Sequence, residues 1–107
     1  MTIFIGKVGI HVGHYVGRPT ALGNQYIIGT HGDRDAVCDQ YDEWFHAELY
    51  TGGSKAFNIQ LASLFTAHQR DNGIILLCHC HPQRCHATTI AEHMTSVLQG
   101  VIASSAL

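Results

Sequence analysis

Charged residues are scarce in this sequence, and no run of lysine or arginine occurs anywhere in it. Of its 107 residues only 13% are charged, and the formal net charge is −2 with the histidines neutral. A protein that grips duplex nucleic acid over a broad surface needs many cations to neutralise phosphates. The composition therefore argues against a broad duplex-binding surface and leaves local contact with a nucleotide open.

Long apolar runs are also missing. No stretch reaches the ~18–20 apolar residues that a membrane-spanning helix needs. Residues 1–13 carry one lysine, glycines break their apolar run, and no small-residue cleavage site follows them, which argues against a signal peptide. We therefore expect no membrane partner and a cytoplasmic location.

The cysteines lack the even spacing of a disulfide framework. Of the four, Cys38 stands alone, and the other three fall within eight positions at Cys78, Cys80 and Cys85. In a chain without an export signal, such crowding favours reduced thiols or a metal over disulfides. Nine histidines are many for this length, and three of them lie in the same cluster.

The hydrophobic pattern predicts alternating strands and helices. Two short β-branched runs, residues 2–5 and 8–12, predict strands or a hairpin, and residues 26–28 a further short strand. Helical spacing predicts one helix with Asp33 as its N-cap, a second over residues 56–69 and a third over residues 85–98. The apolar run at residues 74–77 predicts a buried strand between the second and third helices.

This order of elements indicates an α/β fold. We expect a single small Rossmann-like domain, in which about three helices flank a short, mostly parallel central sheet. The length suits one domain over residues 1–107, and residues 102–107 read as a frayed tail. Trp44, Tyr41, Phe45 and Phe57 recur at the spacing of core residues.

Two loops carry most of the polar residues of interest. The first loop, residues 15–24 (YVGRPTALGN), is rich in glycine and proline and predicts an ordered turn. The second loop, residues 78–86 (CHCHPQRCH), lies between the end of the buried strand and the start of the last helix. Ligands of open α/β sheets bind at that position, so the second loop is the main candidate for function.

Zinc binding is one interpretation of the second loop. Cys78, Cys80, Cys85 and His86 offer three thiolates and an imidazole, which is a ligand set that suits zinc. Structural zinc sites, however, draw two pairs of ligands from separate segments, whereas these four residues fall within nine positions. The cofactor is therefore unknown, with zinc possible in chemistry but disfavoured by spacing.

Nucleophilic catalysis is a second interpretation. Cys78 and Arg84 have the C-x5-R spacing with which cysteine phosphatases wrap a phosphate. The loop holds His, Pro and Gln where a phosphate loop needs small residues, so the match is incomplete. A third interpretation is binding without covalent chemistry, in which Arg84, His86 and the first amides of the last helix hold a phosphate or carboxylate, and Thr88 or Thr89 supplies a hydroxyl.

The two loops together resemble a known family. The pairing of Y-V-G-R-P-x-x-L-G-N with L-C-x-C-x-P-x-x-C-H is similar to the family called domain of unknown function 4326, which occurs in bacteria and phages. The segment from Gly32 to Arg34, with Tyr41 and Trp44, resembles it as well. The resemblance implies a small Rossmann-like, nucleotide-related domain of unestablished activity, and a location in the bacterial or host cytoplasm. It also suggests that Arg18 and Asn24 face the second loop.

Several functions stay open at this point. The first is binding or processing of a nucleotide- or nucleoside-like ligand in a pocket between the two loops, with Arg18, Asn24, Arg84 and Thr88 as binding residues. If the protein is an enzyme, we expect a nucleotide-directed hydrolase or transferase with Cys85 and His86 as catalytic residues, helped by Asp33. The alternatives are a phage or bacterial accessory protein that binds a host protein, and a zinc-binding module.

Overall fold

A parallel sheet forms the centre of the protein, whose computed structural model describes the backbone of residues 2–106 and the side chains of residues 3–100. Its strands are β1 (Thr2–Lys7), β2 (His14–Tyr15) and β3 (Gly73–Cys78). They lie in the order β1-β3-β2, and both outer strands run parallel to β3. The predicted short, parallel central sheet is therefore confirmed.

The start of the chain differs from the prediction of a hairpin. β1 continues to Lys7, and residues 8–12 form a turn in which Gly9 has a φ of +86°. β2 pairs with β3 and not with β1. The hairpin prediction is wrong because β3, which is apolar along its whole length, takes both short strands as its neighbours. Residues 26–28 form no strand, and Ile28 makes only an isolated bridge to Gly32.

Three helices complete the described part of the fold: α1 (Arg34–Thr51), α2 (Lys55–Asp71) and α3 (Ala87–Ala106). Asp33 is the N-cap of α1, as predicted, because its carboxylate accepts a hydrogen bond from the Ala36 N–H at 2.9 Å. The predicted third helix begins two positions later than Cys85 and runs past Leu98. Residues 102–106, predicted as a frayed tail, are described as helix, and Leu107 lies outside the described residues.

The core lies between the sheet and the helices. Ile74, Leu76 and Cys78 of β3 are buried, whereas the residues between them are half-buried. Tyr41, Phe45 and Phe57 are buried as predicted, and Trp44 packs partly buried against them. In the described part of the chain, no helix combines the length and apolarity needed to cross a membrane.

Candidate functional site

A cavity of about 470 Å³ lies at the carboxyl ends of β2 and β3. The second loop provides the largest share of its wall, through Cys78, His79, Cys80, Arg84, Cys85 and His86. The first loop adds Tyr15, Gly17, Arg18 and Asn24, and the remaining residues come from residues 26–28 and from Arg34, Val37 and Cys38 of α1. Arg18 and His86 thus line the same cavity, whereas Thr88 is not among its lining residues.

The first loop is anchored on the core. Val16 and Leu22 are fully buried. The Tyr41 hydroxyl donates to the Leu22 carbonyl at 2.6 Å, and the Leu22 N–H donates to Gln60 Oε1 at 2.8 Å. Gly23 approaches the backbone of Arg18 so closely that a Cβ would lie 2.8 Å from the Arg18 nitrogen. The loop is therefore closed tightly, with the Arg18 side chain on its exposed side.

The side chain of Asn24 holds the first loop to α1. Its Nδ2 donates to the Val37 carbonyl at 3.2 Å, and its Oδ1 accepts from the Tyr26 N–H at 2.9 Å. Because the amide is buried and bonded on both sides, it fits the turn-stabilising interpretation. A ligand-binding role for Asn24 stays a prediction.

His86 connects the two loops. Its Nε2 lies 2.7 Å from the Val16 carbonyl oxygen, which accepts only, so Nε2 carries the proton. Burial lowers the pKa of His86, and the imidazole is therefore neutral at pH 7. Nδ1 then has a free lone pair, and it lies 3.4 Å from Cys85 Sγ. The imidazole joins a thiol of the second loop to the backbone of the first.

The guanidinium of Arg84 is held by two carboxylates of α1. It donates to Asp35 Oδ1 at 2.9 Å and to Asp39 Oδ1 at 2.7 Å, and both bonds raise its pKa. The positive charge of Arg84, which a bound phosphate would need, is therefore already neutralised by these two carboxylates. The geometry does not support the phosphatase interpretation of the C-x5-R spacing.

The cysteines form a group of free thiols, and Cys38, Cys78, Cys80 and Cys85 all line the cavity. Hydrogen bonds from the Cys85 thiol and from two backbone N–H groups lower the pKa of Cys78. The neighbouring Cys78 sulfur and burial raise the pKa of Cys85. Among the described residues, no three His, Cys, Asp or Glu side chains are placed to hold a metal ion, so the proposed zinc ligands do not form such a group.

The first amides of α3 bond within the protein. The Thr88 and Thr89 N–H groups donate to the carbonyls of Cys85 and His86 at 3.1 and 3.0 Å. These amides, which the sequence suggested as a phosphate site, are already used. Asp33 is likewise engaged as the cap of α1.

Arg34 and Cys38 line the cavity although the sequence did not single them out as site residues. Arg34 Nη1 donates to the Arg84 carbonyl at 3.1 Å, and contact with the Cys80 sulfur raises its pKa. Its position directly after the N-cap suggested only a helix start. The signal that points to it is the segment from Gly32 to Arg34, which belongs to the family resemblance.

The fold and the cavity together define a class: a small α/β protein with a parallel three-stranded sheet and two loops facing each other at the carboxyl ends of its strands. A family model described as a domain of unknown function (DUF4326) matches residues 6–96. The chain belongs to this family, so the resemblance of its two loops is confirmed. Neither the curated proteins nor the solved structures contain a match to the chain.

Proposed function

We propose that the cavity binds a small anionic ligand with a flat ring, of the nucleotide class. One observation carries this proposal: the residues that line the cavity include Arg18, Arg34 and Arg84 but no aspartate or glutamate. An arginine-lined wall at the carboxyl ends of parallel strands suits a phosphate or carboxylate group. A volume of about 470 Å³ is ordinary for a small-molecule site.

Arg18 and Arg34 are the residues that we assign to the anion. Arg84 is already paired with Asp35 and Asp39, so it adds little further positive charge. Within the described residues, no carboxylate lies at salt-bridge distance from Arg18 or Arg34. Arginine offers paired N–H donors that match phosphate oxygens.

The ring of the ligand would contact the aromatic and apolar part of the wall. Tyr15 and His79 lie edge to face with ring centroids 5.6 Å apart, and both line the cavity. Tyr26, Ile27 and Ile28 add apolar surface. Such a combination of a few charged groups with aromatic and aliphatic surface is typical of nucleotide pockets.

Calorimetric titration with ribonucleoside monophosphates, the matching nucleosides and inorganic phosphate tests the proposal. We expect a monophosphate to bind more tightly than its nucleoside or phosphate alone. Arg18→Ala and Arg34→Ala each remove charge-assisted bonds of about 1.5–3 kcal/mol, which weakens binding about 10-fold or more. Arg70→Ala is the matched control, since Arg70 pairs with Asp71 and does not line the cavity.

Two results would count against this function. One is the absence of binding by every compound in the series, which would leave capture of a host protein as the alternative. The other is an equal loss of affinity in Arg70→Ala and Arg34→Ala, which would show that binding follows net charge and not the cavity. An active enzyme of hydrolase or transferase type requires the same ligand site.

A further inference from the structure

Residues 26–32 form a turn that supplies apolar surface to the cavity wall. Ile27 and Ile28 both line the cavity, although they are 43% and 49% exposed. The turn is attached to α1 through Gln40, whose Nε2 donates to the His31 carbonyl at 2.8 Å. Because the two isoleucine side chains are half in solvent, their position depends mainly on the hydrogen bonds inside the turn.

His31 closes this turn with both its backbone and its side chain. The His31 N–H donates to the Ile27 carbonyl at 2.8 Å, and the Ile27 N–H donates to His31 Nδ1 at 2.9 Å. The Thr30 N–H donates to the same carbonyl at 3.1 Å. Gly29 has a φ of +90°, which lets the chain reverse between the two residues. The imidazole thus binds the N–H group of a residue that lines the cavity.

The same turn occurs a second time, at residues 7–11. There the N–H groups of Ile10 and His11 donate to the Lys7 carbonyl at 3.1 and 2.9 Å, and the Lys7 N–H donates to His11 Nδ1 at 2.9 Å. The sequences K-V-G-I-H and I-I-G-T-H share the glycine, with a φ of +86° in the first turn, and the final histidine. The histidine ring is therefore a structural part of this kind of turn. Residues 7–11 do not line the cavity.

The bond between His31 and Ile27 requires a neutral imidazole. A ring nitrogen that accepts a hydrogen bond carries no proton, so the single ring proton of His31 is on Nε2. A second proton would convert Nδ1 into a donor that faces the Ile27 N–H, and the bond would be lost. His31 is exposed, so solvent can deliver this proton. Histidine is the side chain whose charge changes between about pH 5 and 8.

The groups around His31 offer no ion pair to a protonated ring. On the turn itself, the Tyr26 ring lies edge to face with the imidazole, with ring centroids 5.7 Å apart. From α1, Gln40 donates to the His31 carbonyl, and the charged residues Asp33 and Arg34 at its start bond to other backbone groups. Within the part of the chain that the structure describes, no carboxylate lies at salt-bridge distance from His31. Protonation therefore breaks one bond without forming an ion pair.

We propose that His31 is a positioning residue of the ligand site, whose neutral imidazole holds Ile27 and Ile28 in the cavity wall and whose protonation releases them. This assignment rests on the proposed function, since it names a pH control of that same site. The affinity for the ligand should fall on acidification, because the apolar wall that contacts the ring of the ligand loses one of the bonds that fix it.

Exchange of the Ile27 amide with water, measured by NMR on the folded full-length protein, tests this role without a ligand. The protection factor relates each exchange rate to that of an unstructured chain at the same pH, which removes the ordinary pH dependence of exchange. From the net contribution of one hydrogen bond, we expect the protection of Ile27 to fall about 5-fold between about pH 7.5 and about pH 5.5. Equal protection at the two pH values would overturn the proposal.

Three variants separate the ring of His31 from other titrating groups. His31→Ala removes the acceptor, so the protection of Ile27 should be low at both pH values. His31→Asn keeps an acceptor, Oδ1, that takes up no proton in this range, so it should restore protection at both. His11→Ala is the matched control, because it changes only the turn at residues 7–11 and should leave Ile27 as in the wild-type protein. A pH response of Ile27 that persists in His31→Ala, or an equal loss of protection in His11→Ala, would contradict the role of His31.

Calorimetric titration with a ribonucleoside monophosphate connects the turn to the ligand site. Because the phosphate of the ligand itself takes up a proton near about pH 6, each variant is compared with the wild-type protein at the same pH. We expect His31→Ala to weaken binding about 2- to 10-fold at about pH 7.5 and to differ little from the wild-type protein at about pH 5.5.

The failure of this proposal is distinguishable from the failure of the ligand site. An unchanged affinity in His31→Ala, in a protein whose Ile27 amide has lost its protection, would remove the role of His31 in the site and leave the binding function intact. A pH-dependent Ile27 amide in a protein that binds no monophosphate would count against the ligand and not against the hold of His31 on the turn.

Discussion

The imidazole of His86 is the contact through which the two loops depend on each other. It is 7% exposed, donates to the Val16 carbonyl of the first loop, and packs edge to face on Tyr41 with ring centroids 5.0 Å apart. Removal of the ring would leave the Val16 carbonyl buried without its donor. Because both loops line the cavity, His86 contributes to the shape of the site, together with the contact between Tyr15 and His79.

We predict that His86→Ala lowers the free energy of unfolding by about 2–4 kcal/mol, from the lost hydrogen bond and the lost packing together. Urea denaturation followed by circular dichroism measures this change. The control is His46→Ala, because His46 is exposed and its pair with Asp42 is worth less than about 1 kcal/mol. Equal stabilities of the two variants would contradict the connecting role of His86.

The sequence predicted which residues are unusual but not how their polar atoms are used. Arg84 has a motif-like spacing, yet it bonds to Asp35 and Asp39, which are more than forty positions away. Asn24 was a binding candidate, and its amide bonds to the backbone of Tyr26 and of Val37 in α1. Such pairings depend on tertiary contacts, which a single sequence does not reveal.

At the scale of secondary structure, α1 is more closely connected to the site than any other helix. Its first turns supply Arg34, Val37 and Cys38 to the cavity wall and the two carboxylates to Arg84. The helix begins where it does because Asp33 caps the Ala36 N–H. The start of α1, and with it the position of Arg34, therefore depends on that cap.

We expect Asp33→Ala to lower stability by about 1 kcal/mol, the usual loss when a capping carboxylate is removed. Chemical denaturation gives the value. Glu43→Ala on the exposed surface of the same helix is the control and should change stability by no more than about 0.5 kcal/mol. A loss in Glu43→Ala that matches the one in Asp33→Ala would show that the effect does not come from the cap.

The long, periodic elements and β1 were predictable, whereas the two-residue strand β2 was not. All three helices and β3 follow from apolar spacing, because each buries one continuous face. β2 has only two residues, which is too few for any period to be detected. Its pairing with β3 depends on the close passage of Gly13 over Ile75, where a Cβ would clash with the backbone.

At the scale of the whole molecule, several buried or half-buried ionisable groups have pKa values that differ between the folded protein and the unfolded chain. Burial lowers the pKa of His86 and His93, and hydrogen bonds lower the pKa of Cys78. Burial raises the pKa of Cys38, and the neighbouring Cys78 sulfur together with burial raises that of Cys85. His86, His93 and Cys78 therefore bind protons more readily in the unfolded chain. Cys38 and Cys85 bind them more readily in the folded protein.

These shifts predict a maximum of stability between about pH 7 and 9. As the pH falls below about 8.5, the unfolded chain takes up protons first at Cys78 and then, near 6.5, at the two histidines, so the folded state loses stability. Above about pH 9 the unfolded chain loses thiol protons that the folded protein keeps, and stability falls again. Thermal melts from pH 5 to 10 measure the profile, and a highest melting temperature at pH 5 would contradict it.

The single domain over residues 1–107, the cytoplasmic location and the roles of individual site residues remain predictions, whereas the family and the α/β fold are established. The fold could be inferred because it depends on patterns that run through the chain. The site could be located only as two loops, since the cavity also needs α1, which closes it from a distant part of the sequence.

The central claim is that a nucleotide-like anion occupies the cavity between the two loops. Mapping of amide chemical-shift changes by NMR, during titration of the labelled protein with a ribonucleoside monophosphate, tests it most directly. We predict that the largest changes fall on the first loop around Arg18, on Arg34, and on the second loop. Changes confined to surfaces away from these segments, or none at saturating concentrations of each monophosphate, would contradict it.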